Sequence, residues 1–130
     1  MPKTSVPTVA PRPGEVYAGL VGEWQAARTV FLRVVTSGRQ LTLAQEHAAA
    51  SVFLAAERRF VAAMGAAGWP AAARGAIEGL RRISVQMQSH LVAMVRTDSG
   101  SAFTERLADY STDVSRDEAA VRAVESALGS

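Results

Sequence analysis

The side chains that could do chemistry in this sequence are few. It has two histidines, His47 and His90, and no cysteine. Without a thiol there is no cysteine nucleophile, no thiolate metal site and no disulfide. Met87 lies three residues before His90 and Met94 four after it, a spacing that sets all three on neighbouring parts of one helix face. Thioether sulfur with imidazole suits Cu(I) or an axial haem position. Against that reading, there is no second histidine cluster and no Cys-x-x-Cys-His, and methionines commonly fill gaps in cores. We therefore read Met87 and Met94 as packing residues beside an interfacial histidine.

A phosphotransfer bundle would also carry a histidine on a helical scaffold, followed by a Lys-Gly pair. The segments EHAAAS and SHLVAM lack that pair, and Lys3 is the only lysine. The carboxylates near the C-terminus alternate with Arg106, Arg116 and Arg122 at helical spacing, the pattern of an ion-paired surface. A di-iron bundle would need Glu-x-x-His motifs, and none occurs. Nor does a P-loop, a glycine-rich dinucleotide loop or a nucleophile elbow. The expectation is a protein with no catalytic residue, no metal and no cofactor.

The elements that hold these side chains read as helices. In WPAAARGAIEGLRRISVQMQSHLVAMV, the positions Ala73, Ile77, Leu80, Ser84, Met87, Leu91 and Met94 follow one another at spacings of four and three, so one side of this helix must be covered. Upstream, Tyr17, Leu20, Trp24, Ala27, Phe31 and Val34 repeat the pattern with a strongly aromatic stripe. Such a stripe could stack a ligand, but aromatics at helical spacing are more often core. Gly38 supplies a stop, because glycine takes the left-handed conformation cheaply.

Thr42 and Gln45 make a capping box for a helix running to about residue 67. Its apolar face is broad: Ala49, Phe53, Ala56, Phe60 and Ala63 form one stripe, and Ala50, Leu54, Val61 and Met64 a second. Glu57, Arg58 and Arg59 then mark its wet face. Pro70 suits the first turn of the next helix, where Gly75 and Gly79 point to a tight helix crossing. After the Thr97–Gly100 break, Phe103, Leu107, Tyr110, Val114, Val121, Val124 and Leu128 form the last stripe, with Glu105, Arg106, Asp109, Asp113, Glu118, Arg122 and Glu125 facing water. Ser115 with Glu118 offers a second capping box, which would kink or split this helix near residue 115. Four amphipathic helices joined by short breaks predict an all-α, antiparallel up-and-down bundle over residues 15–130. The proline-rich first fourteen residues read as a disordered arm.

Charge adds a polarity. Residues 1–97 carry eleven basic and five acidic groups, and residues 98–130 three and seven, giving the net charge of +2. The arginines are scattered without interleaved aromatics, so we expect no nucleic-acid partner. No secretory signal pattern precedes the bundle, and the longest uncharged run, residues 60–73, is too short for a membrane span. The expected location is the cytoplasm.

One family resemblance goes further. The helix ending QMQSHLVAMV, a short Asp/Ser/Gly break and then AFTERLADYSTDVSRDEAAV resemble the helix–turn–helix segment of bacterial phasins, small alanine-rich proteins that coat polyhydroxyalkanoate granules. RRFVAAMGAAGWPAAARGAIEGL is similar in style to the same turn region, so the resemblance spans residues 41–128 loosely. It implies a non-catalytic protein whose amphipathic helices adsorb to an apolar polymer surface, each 100 Å² withdrawn from water contributing on the order of 2.5 kcal/mol. The surface-contacting residues would be Tyr17, Trp24, Phe31, Phe53 and Phe60, buried in the free protein within the bundle or within an oligomer, so that the bundle must open or expose one stripe; the expected assembly is a homo-oligomer. The alternative is a helical adaptor or chaperone-like module that binds another protein's helix in a groove.

Overall fold

The computed structural model describes Arg12–Gly129. Most of the expected N-terminal arm, residues 1–11, lies outside the described residues. Four helices follow in order: α1 Pro13–Val35, α2 Leu43–Ala66, α3 Ala71–Val95 and α4 Gly100–Ala127. Each packs on the next, and α2 also touches α4 across the bundle. The short connections make neighbours antiparallel, which is the expected all-α bundle. No strand occurs among the described residues.

Local sequence explains the ends of the helices. Pro13 sits in the first turn of α1, where its missing N–H costs nothing. Gly38 takes a positive φ of 78° after the helix. The capping box at α2 forms as expected: the Thr42 hydroxyl accepts from the Gln45 N–H at 3.1 Å, and the Gln45 side chain accepts from the Thr42 N–H at 2.8 Å. Between α2 and α3 the Trp69 indole N–H donates to the Met64 carbonyl at 2.7 Å. This satisfies one of the carbonyls a helix end leaves open. Ser99 caps α4, its hydroxyl accepting from the Ala102 N–H at 3.0 Å.

All seven residues of the α3 stripe are buried, and the broad face of α2 packs between α1 and α3. Three expectations are corrected. The last helix is not split at Ser115; α4 runs unbroken from Gly100 to Ala127, since the Val114–Val121 stripe continues through that point. Gly75 and Gly79 do not mark a tight crossing: a Cβ on either would meet nothing within 4 Å. Glu57 is not on a wet face but fully buried.

Candidate interaction site

The five aromatic residues expected to contact a surface are all in the core. Tyr17, Trp24, Phe31, Phe53 and Phe60 are each at most 3% exposed, so all five are core residues of the closed bundle, with Phe31 and Phe53 also reaching the bottom of a surface groove and Trp24 and Phe60 that of a smaller one. They hold α1 to α2 instead. Trp24 stacks on Phe60 at 5.1 Å between ring centroids and Phe31 on Phe53 at 5.2 Å, while Tyr17 meets Trp69 edge-on at 6.3 Å. Tyr110 of α4 packs edge-on against both Phe31 and Phe53.

Between the two stacks lies a buried polar layer that the apolar pattern concealed. Arg28 sits between Trp24 and Phe31 on α1, and Glu57 between Phe53 and Phe60 on α2. From α4, Asp117 reaches the Arg28 guanidinium at 3.5 Å, with Glu118 at 3.7 Å on its outer side. The same guanidinium lies 5.1 Å from the centre of the Trp24 ring, within cation–π range. Glu57 and Asp117 are both fully buried. Both Glu57 carboxyl oxygens, Oδ1 of Asp117, the Tyr110 hydroxyl and the Trp24 indole N–H have no hydrogen-bond partner among the described residues. The buried Ser84 hydroxyl, from the α3 stripe, is likewise unpaired.

Burial sets the protonation of this layer. Glu57 is pushed up to about 8 by desolvation, reinforced by the Asp117 charge; the Trp24 N–H and Arg28 pull the other way but do not compensate. The Trp24 indole N–H favours the Glu57 carboxylate, although no hydrogen bond of ordinary geometry joins the two. Asp117 is raised to about 6, again by desolvation, with Arg28 opposing and Glu118 adding to the rise. Desolvation also raises the phenols of Tyr17 and Tyr110. At neutral pH, then, Glu57 is a neutral acid beside an Asp117–Arg28 ion pair.

Both histidines make side-chain contacts between elements. Nε2 of His90 lies 2.6 Å from Oδ2 of Asp113, joining α3 to α4, with Arg116 at 3.8 Å from the other carboxylate oxygen. Met87 and Met94 are fully buried, so they offer no sulfur beside an accessible imidazole. Nε2 of His47 contacts the Thr97 hydroxyl at 3.1 Å. Among the described residues no group of three or more His, Cys, Asp or Glu side chains could hold a metal ion.

The outer face of α1 and α2 carries what the stripe analysis missed. Val34 was expected in the core but is 37% exposed, beside Val30 at 56% and Val52 at 67%. These valines flank a groove of about 570 Å³ whose apolar walls include Ala27, Ala49 and Leu41 and whose floor is Phe31 and Phe53. Arg39 is its one charged wall residue, and Arg33 joins it in the adjoining depression. The one sequence signal was an apolar residue off the stripe at Val30 and at Val52.

Fold and site together define an all-α four-helix bundle with an apolar groove on one face and a charged layer in its core. Compared with protein-family models, curated proteins and solved structures, the chain matches none. No helix among the described residues is long and apolar enough to cross a membrane.

Proposed function

We propose that this protein is a non-catalytic docking module that seats an amphipathic helix of a partner protein, apolar on one face and acidic on its flanks, in the groove between α1 and α2. The observation that carries this reading is the groove itself, in which three exposed valines surround an apolar floor. Apolar groups left in water at one place on a surface favour a covering partner. The charge of the walls, arginine without a carboxylate, favours acidic flanks. A granule coat of the phasin type would instead have to recruit Tyr17, Trp24, Phe31, Phe53 and Phe60 from the core. Docking needs no such opening.

The test uses a synthetic amphipathic peptide with leucines at i, i+3, i+4 and i+7 and glutamates on its flanks, alongside the same peptide with lysine flanks. Saturable one-to-one binding of the acidic peptide, weakened by salt and lost in Val52→Glu with the helical content unchanged, is the expected result. Equal binding of the lysine-flanked peptide overturns the charge argument. Binding to polyhydroxybutyrate particles but not to either peptide would replace docking by a granule coat. Sedimentation of the protein alone tests the third occupant, a second copy, which would make the groove the interface of the expected homo-oligomer.

A further inference from the structure

We propose that the molecule opens like a book along its α1–α4 edge, turning about the α2–α3 seam, that the Arg28–Asp117 pair is its latch, and that the buried Glu57 carboxyl behind the latch ties this opening to loss of a proton. The inference concerns the core and is independent of the docking groove.

The α1–α4 edge is the one side of the bundle that consecutive packing does not close. The helices there approach less closely than consecutive pairs, and long side chains bridge the gap. The Tyr17 hydroxyl donates to the Val121 carbonyl at 3.4 Å, and Arg28 reaches Asp117 at 3.5 Å and Glu118 at 3.7 Å. Phe31 meets Tyr110 edge-on at 6.2 Å. Every polar contact in that set is at the long end of its range. The opposite seam is built differently. Its turn is tied by the Trp69 N–H to the Met64 carbonyl and by Arg74 Nε to the Trp69 carbonyl at 3.2 Å, and the α3 stripe behind it is apolar except for Ser84.

Behind the latch lie the unpartnered atoms of Glu57, Asp117, Tyr110 and Trp24. A buried polar atom without a partner opposes the closed state, and that opposition vanishes when water reaches it. The sign follows from the groups that face Glu57. From α1 these are Arg28 and the Trp24 N–H, and from α4 Asp117 and Tyr110, with Glu118 acting on Asp117. From α3 the buried polar residue is Ser84, which does not titrate. Burial outweighs Arg28 at both carboxyls, so the closed form holds protons that the open form releases. Acid closes the book, and rising pH opens it.

Because the chain contains no cysteine, single cysteines introduced into the whole 130-residue chain report the opening. Val121→Cys sits at the α1–α4 edge, 5% exposed, and Ala73→Cys on the hinge side, fully buried. Ala119→Cys on the exposed side of α4 normalises for thiol reactivity. The protection of Val121→Cys against a thiol reagent should fall by more than tenfold from about pH 6 to about pH 8.5, within the limit of about tenfold per pH unit for one proton. Ala73→Cys should keep its protection. Adding Glu57→Gln, which keeps the shape and removes the charge, should abolish most of the fall. Parallel loss at both cysteines would show global unfolding in place of a hinge. An unchanged slope with Glu57→Gln would show that Glu57 does not tie the opening to a proton. Either result overturns the proposal.

Discussion

Replacing Glu57 by glutamine should remove most of the pH dependence of a bundle that weakens as pH rises. The ordinary glutamate value is 4.5, and burial beside Asp117 raises it to about 8. A carboxyl raised on folding stabilises most below its unfolded value, and that stability drains away as pH climbs to the folded value. Each pH unit of displacement corresponds to about 1.4 kcal/mol. Between about pH 5 and about pH 8 Glu57 alone then removes roughly 3 kcal/mol of folding stability. Asp117, raised from 3.8 to about 6, removes a further ~1 kcal/mol over the same window, most of its loss falling below about pH 6. Urea unfolding followed by circular dichroism at closely spaced pH values measures both. Wild type should lose midpoint steadily across the window, and Glu57→Gln should retain only the smaller, more acidic part of the slope. If wild type gains stability with pH, or if the two slopes coincide, Glu57 is not a buried neutral acid and the account of the core is wrong.

Other expectations test other parts of the structure. Glu57→Leu removes two unpartnered buried oxygens and should raise stability at neutral pH by about 2 kcal/mol, seen as a higher urea midpoint. Trp24→Ala empties a site that stacks on Phe60 and lies under Arg28; a loss of about 3–5 kcal/mol is expected in the same assay. Thr42→Ala deletes the capping box of α2 and should cost about 1 kcal/mol, with the helical content of the folded state kept. Val52→Glu, at a position 67% exposed, should leave stability within about 0.5 kcal/mol while removing peptide binding in the groove.

Sequence periodicity determined a great deal of this protein. The α3 stripe emerged residue for residue, Ser84 included, because a strict three–four spacing has a single helical solution. Gly38 and the Thr42–Gln45 box likewise act within a few residues of themselves, through backbone rules that hold whatever the rest of the chain does. The absence of cysteine settled a share of the chemistry before any fold was known.

Tertiary structure alone decided the rest. Glu57 has Phe53 four residues before it and Phe60 three after, and Asp117 has Tyr110 seven before and Val121 four after, so each lies at a core position by spacing. At Glu57 charge suggested water, yet the two stripes beside it must both be covered in a four-helix bundle, and that geometry carries the carboxyl between them inward. Val34 went the other way: its position continues the α1 stripe, but near the end of that helix no neighbouring helix covers it, and it stays in water beside Val30 and Val52. Gly75 and Gly79 suggested close approach in a sequence that cannot say which helix faces which, and the faces they occupy meet nothing. Local spacing fixes which side of a helix a residue is on. Which sides are buried depends on the neighbours that arrive from elsewhere in the chain.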